Sequence, residues 1–184
     1  MSGYDIKKIV DVGLSHFWNE NYGQIYPTLD DLVKSGFAKK SVDKNSGKRK
    51  RYIYRITADG ESTFRKWLAQ PADVPSVRNE LQLKFFLSSK LPASNSLRII
   101  NEYQEQQRAL LAGYRESEVE LRKAIASGHY PDEVLEILEG HAKPQTAKQK
   151  AKQCRIVLLT LRHGILAIEA RLQWCDEVIR ELSA

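Results

Sequence analysis

Two stretches decide the fold: residues 23–40, GQIYPTLDDLVKSGFAKK, and residues 47–68, GKRKRYIYRITADGESTFRKWL. In the first, Ile25, Leu29, Leu32 and Val33 recur at helical spacing and predict an amphipathic helix with those four facing inward. Asn21 and Gln24 have the spacing of a capping box at its start, and Gly36 stands just past its end as a stop. Pro27 is expected near the first turn, because deeper in a helix it removes a hydrogen bond and clashes with the preceding turn. In the second stretch, β-branched and aromatic residues alternate over Tyr52–Ile56, a strand that pairs with another over Phe37–Val42. Asn45, Ser46 and Gly47 supply the turn between them, and Lys44, Lys48, Arg49, Lys50 and Arg51 load it with positive charge. Thr57-x-x-Gly60-Glu61 then opens a helix running to about Gln70.

Upstream, Ser2 and Asp5 cap a helix with Ile6, Ile9, Val10 and Leu14 on one face, Gly13 weakening its end. Asn19–Gly23 is a polar turn. Helix, polar turn, helix and basic hairpin is the order of a winged helix-turn-helix, in which the second helix puts its first turns into the major groove and the hairpin follows phosphates. The groove-facing candidates are Asn21, Tyr22, Gly23, Gln24, Tyr26, Pro27 and Thr28; the phosphate candidates are Lys44, Lys48, Arg49, Lys50 and Arg51. Each has a blander role beside the functional one. The basic run also suits a solvated turn, Gln24 a cap, and the tyrosines a core. Tyr22 is expected exposed, Tyr26 shared between roles, and Tyr52 mostly packing.

Charge placement by itself fits a polyanion partner and a solvated loop equally, and the position after a helix-turn-helix favours the polyanion. The chain has 184 residues and a net charge of +6, and Lys34–Lys66 alone holds 11 basic against 3 acidic side chains. No apolar run approaches a membrane span, and the N-terminus lacks a signal peptide's apolar core, so a cytoplasmic, bacterial-type setting fits. Cys154 and Cys175 form no C-x-x-C pair, and His16, His129, His141 and His163 are scattered, so neither a metal nor another cofactor is expected. No phosphate loop, nucleophile elbow or dinucleotide fingerprint points to an enzyme.

Pro71–Pro75 reads as a linker and gives domains at 1–70 and 79–184, joined by 71–78. Beyond it all segments look helical: Asn79–Lys90, then Ser94–Ser127, ended by Gly128–Pro131, with a further break at Lys143–Pro144. On Ser94–Ser127 the stripe Leu97, Ile100, Leu111, Tyr114, Leu121 and Ile125 is interrupted by Gln104 and Gln107. In the last helix Cys154, Leu158, Leu161, Ile165, Ile168, Leu172, Cys175, Ile179 and Leu182 alternate spacings of four and three, an unbroken heptad seam. It suits the Ser94–Ser127 helix, the same helix of a second subunit, or both. The two cysteines lie on it as small hydrophobes. Trp67, Trp174, Phe85 and Phe86 are either core or the lining of a pocket for a small aromatic or amphipathic effector.

With "SGYDIKK" at 2–8, the two stretches quoted first, "LKFFLS" at 83–88 and the helical tail, the chain resembles the PadR-like transcriptional regulators over nearly its whole length. The resemblance implies a mainly α fold: a winged helix-turn-helix head with a small β-hairpin wing, then antiparallel long helices that dimerise. It implies a homodimeric repressor on a palindromic double-stranded operator, often released by a small molecule, with Leu158, Leu161, Ile165, Ile168, Leu172, Cys175, Ile179 and Leu182 as the dimer contacts here. The competing function is a winged-helix module whose basic wing meets an acidic protein. Members of the family begin with an apolar helix ahead of the segment matching Ser2–Asp5, and this chain starts at that segment. A late start or a truncation is therefore expected, with a head looser than the tail, since each of Ile6, Ile9 and Val10 left uncovered costs about 1.5–3 kcal/mol.

Overall fold

The computed structural model describes residues 1–43, 50–73, 78–130 and 146–183. Lys44, Lys48 and Arg49, and the break expected at Lys143–Pro144, lie outside the described residues. Two compact units emerge, one from residues 1–73 and 146–150, the other from residues 78–130 and 151–183.

The first unit opens with α1 (Gly3–Ile9), whose Ser2 hydroxyl accepts from the Asp5 N–H while the Asp5 carboxylate accepts from the Ser2 N–H. The expected single helix instead widens into a π turn over Val10–Leu14, the stretch that contains Gly13. Helix α2 (Tyr22–Lys34) starts from the Asn21–Gln24 capping box. Pro27 therefore stands just past the first turn. The reciprocal cap fixes the start, and Gly23, whose carbonyl loses its helical donor to Pro27, is exposed. Gly36 ends α2 with φ at 77°, the left-handed region that glycine enters without strain.

Strands β1 (Ala38–Val42) and β2 (Tyr52–Ile56) pair antiparallel, Ala38 opposite Ile56 and Val42 opposite Tyr52. Met1 exchanges two backbone hydrogen bonds with Tyr54, at 3.0 and 2.8 Å, on the other edge of β2. Tyr54, Ile25 and Leu29 form the head's core, with Ile6 and Val33 packed on it. Leu32, expected inward, is exposed, because the helix presents only one narrow stripe to a two-stranded sheet. Val10 is buried, against the expectation that it would be uncovered. Helix α3 (Ala58–Leu68) is shorter than expected at its C-terminal end, and Thr57 caps it.

The second unit is helical. Helix α4 (Glu80–Phe86) is capped by Asn79, α5 (Ala93–Ser127) ends at Gly128 and α6 spans Ala147–Ser183. Between α5 and α6, Ile100, Cys175 and Val178 form a core that Leu81, Phe85, Tyr103, Trp174, Ile179 and Leu182 complete. The heptad seam is filled within the chain: Cys154, Leu161, Ile165, Ile168 and Cys175 are buried, while Leu158, Leu172, Ile179 and Leu182 are half-buried. Gln104 and Gln107 are not interruptions. Both are buried; Gln104 donates to Asp176 at 2.6 Å and Gln107 accepts from Arg171 at 3.4 Å. Glu118, also buried, receives Arg115 at 3.1 Å and Arg122 at 2.7 Å from α5, and Arg162 at 3.5 Å from α6. These pairs run antiparallel along the two helices. No described helix is long and apolar enough to cross a membrane.

Candidate nucleic-acid interface

The candidate surface is built on α2 and the hairpin. Asn21, Tyr22, Gly23, Gln24, Tyr26, Pro27 and Thr28 are all exposed, so the first turns of α2 are presented as one polar and aromatic face. Two of these groups already have structural work. Asn21 Oδ1 accepts from the Gln24 N–H at 3.1 Å, and Gln24 Oε1 accepts from the Asn21 N–H at 3.4 Å. The Gln24 amide NH₂ and the upper face of α2 stay available to a base or a phosphate. Tyr22 and Tyr26, one helical turn apart, stack with centroids at 6.0 Å. Tyr26 also lies against Gly3, where an added Cβ would come within 2.7 Å of its ring. It thus packs against α1 while leaving part of its ring exposed.

Among the wing candidates, Lys50 is exposed, but Arg51 is engaged. Its guanidinium donates to Asp5 at 2.6 and 2.8 Å and to Ser2 Oγ at 3.3 Å, tying β2 to the α1 cap. Burial pushes Asp5 up, yet the Ser2 N–H, the Ser2 hydroxyl and Arg51 together hold it below the usual carboxylate range. At the other edge, Lys40 donates to Asp30 of α2 at 2.9 Å and sits over the Tyr52 and Tyr54 rings at 4.7 and 5.5 Å. Its hydrogen bonds to Asp30 and then Tyr54 raise its ammonium above the ordinary lysine range. Two ion pairs therefore hold the hairpin at a set angle to α1 and α2. Tyr52, expected mostly as packing, is exposed and serves as the platform under Lys40; Tyr54 takes the core position.

The reading by motif missed Lys39 and Arg55. They face each other across the β1–β2 register, both exposed, and neither has a carboxylate partner among the described residues. Like charges directly opposite in a sheet are destabilising, and an anion between them removes the penalty. Their signal was available in the strand alternation, which places residues 39, 53 and 55 on the face away from Tyr54.

Among the described residues no group of His, Cys, Asp and Glu is arranged to hold a metal ion. Burial pushes the thiols of Cys154 and Cys175 up, which leaves them protonated and inert at neutral pH.

Residues 1–66 match the Transcriptional regulator PadR-like family, and residues 77–183 match the family described as Virulence activator alpha C-term. The negative transcriptional regulator PadR of Bacillus subtilis is 27% identical over 113 residues, covering 61% of this chain and 62% of that protein. The crystal structure of Bacillus subtilis PadR in complex with operator DNA superposes with a TM-score of 0.70 at 21% identity, over 99% of this chain and 91% of that one. The same regulator with p-coumaric acid gives 0.65 at 19% identity, over 100% and 91%. The Vibrio cholerae virulence activator AphA gives 0.69 at 28% identity, over 99% and 89%. With its head matched to one of these families and its tail to the other, and with the same fold throughout, this chain belongs to the PadR-like family of transcriptional regulators.

Proposed function

We propose that this protein is a homodimeric, sequence-specific DNA-binding regulator. The first turns of α2 read a palindromic operator in the major groove, and the hairpin holds phosphates. The observation that carries this reading is the juxtaposition of an exposed polar and aromatic helix start with a hairpin whose outward cations, Lys39, Lys50 and Arg55, lack acidic partners among the described residues. The fold shared with an operator-bound regulator supports it. Lys44, Lys48 and Arg49 extend the same cationic edge in sequence. Arg51 acts by holding the wing to α1.

Dimerisation draws on the faces that the single chain leaves open. Ile156, Leu159 and Leu166 form an exposed stripe at helical spacing on α6, and Leu83, Phe86 and Leu87 another on and just beyond α4. Leu158, Leu172, Ile179 and Leu182 are half-buried and join the contact, whereas Leu161, Ile165, Ile168 and Cys175 are already buried within the chain. The regulatory output in this reading is repression, relieved by a small ligand, and the protein acts in the cytoplasm.

A gel-shift on the DNA upstream of the protein's own gene tests the proposal. Specific, salt-sensitive binding that weakens when Lys48–Arg51 are neutralised supports it. Salt-insensitive binding, equal on random and upstream DNA, contradicts it and favours the acidic-protein module.

A further inference from the structure

Helix α6 begins with a cationic stripe that the surfaces described above leave unused. Lys148, Lys152 and Arg155 follow one another at spacings of four and three, so they share one face, and all three are exposed. The buried Cys154, Leu161 and Ile165 stand on the opposite face. No aspartate or glutamate occurs on the helix from Ala147 to Ile168, and none of the three cations has a carboxylate partner among the described residues. By contrast, Arg162 meets Glu118 at 3.5 Å, and Lys123 of α5 meets Glu120 at 3.0 Å. Helix stability does not explain the stripe. Cations in the first turns oppose the helix dipole, and the start is already fixed by Thr146, whose N–H and hydroxyl donate to Gln149 Oε1 at 2.8 and 2.9 Å.

A row of evenly placed, unpaired cations fits a repeating anion. From Lys148 to Arg155 the helix rises about 10.5 Å, over which a duplex alongside presents about three phosphates per strand. Residues 146–150, Lys148 among them, belong to the same compact unit as the head, which carries the candidate nucleic-acid interface. We propose that Lys148, Lys152 and Arg155 form a second, sequence-independent contact to the phosphate backbone of double-stranded DNA. This rests on, and extends, the reading in which the head binds DNA. Helix α2 and the hairpin choose the sequence, and the start of α6 adds affinity on whichever sequence is present, on top of the share held by each head.

Fluorescence anisotropy across a salt series tests the contact, with the full chain on its own upstream duplex and on a scrambled duplex of the same length. Lys148→Gln, Lys152→Gln and Arg155→Gln are combined, since glutamine keeps the helix as well as lysine or arginine does. The triple variant should lower the slope of log K against log salt by about 2.7 on both duplexes. Between 50 and 200 mM salt the parent's affinity should therefore fall about 40-fold more than the variant's, with the preference between duplexes unchanged. Arg155→Lys should keep its share of the slope, and Lys123→Gln, whose cation is already paired, should change nothing. An unchanged slope, or a loss confined to the upstream duplex, overturns the contact. So does a triple variant that scatters light as a monomer, which would give the stripe to the acidic end of a second copy's α6, where the exposed Glu177 shares its face. Lys50→Ala reads the head separately. A slope lost there but not in the triple variant overturns the α6 contact alone, and equal affinity of the parent for the two duplexes overturns the regulator reading alone.

Discussion

Gly60 occupies a position where one methyl group has nowhere to go. A Cβ there would lie 2.2 Å from the Phe37 carbonyl oxygen, which itself accepts the Thr57 N–H at 3.0 Å. Thr57 completes the knot, accepting from Gly60 and donating to the Gly36 carbonyl at 2.8 Å. Gly60→Ala is expected to destabilise the head by about 3 kcal/mol, the upper end for overpacking, since the obstructing atom is backbone. Urea denaturation followed by near-UV circular dichroism reads it; an unchanged midpoint would contradict the close approach. Arg51 and Lys50 separate positioning from contact. Lys50→Ala should reduce the slope of log K against log salt by about 0.9, the loss of one phosphate contact. Arg51→Ala should weaken binding with little change of slope, and Asp5→Ala should weaken it comparably and non-additively with Arg51→Ala. Equal slope losses for Lys50 and Arg51 would show that Arg51 contacts phosphate. At this scale the sequence revealed caps and glycines well, because their rules are local. It did not reveal that Arg51 is engaged by Asp5, a partner 46 residues away.

Helix α2 and the α5–α6 pair show how far periodicity reaches. The cap, the stop and the buried Ile25 and Leu29 of α2 follow from spacing, whereas Leu32, expected inward by the same spacing, is exposed. In the tail, the heptad pattern identified the buried face of α6 and left open which helix covers it; only side-chain partners across the interface select α5. The same partners turn Gln104, Gln107 and Glu118 from apparent faults into a polar seam that fixes register, a known use of buried polar groups. The hydrogen bond from Arg122 does most to hold Glu118 below the usual carboxylate range, outweighing its burial. A depressed folded value means that this group stabilises the pair at pH values above the unfolded glutamate pKa of about 4.3, and that the contribution disappears as pH falls through the folded value. Glu118→Gln should therefore lower the melting temperature at neutral pH by a few degrees, and the gap from the parent protein should close in acid. A gap that persists unchanged at low pH would contradict the assignment.

For the whole molecule, a winged head and a paired-helix tail were legible from the order of motifs. The longest apolar pattern in the chain is largely consumed internally, and the faces left open are shorter stripes, such as Leu159 at 69% and Phe86 at 80% exposure. Leu159→Lys combined with Leu166→Lys should convert a dimer to a folded monomer in light scattering, whereas Leu161→Lys should unfold the tail, since it puts an unpaired charge into the α5–α6 core. A dimer that survives the double change would place the contact elsewhere. The central claim, that the α2 start and the hairpin together recognise a DNA sequence, is tested most directly by fluorescence anisotropy of the full chain on its own upstream duplex and on a scrambled duplex across a salt series. The expected result is a preference of about 10³-fold or more for the upstream sequence and a slope near −3.6 per head, for roughly four phosphates held. Equal affinity for both duplexes, or affinity that salt does not change, would contradict it.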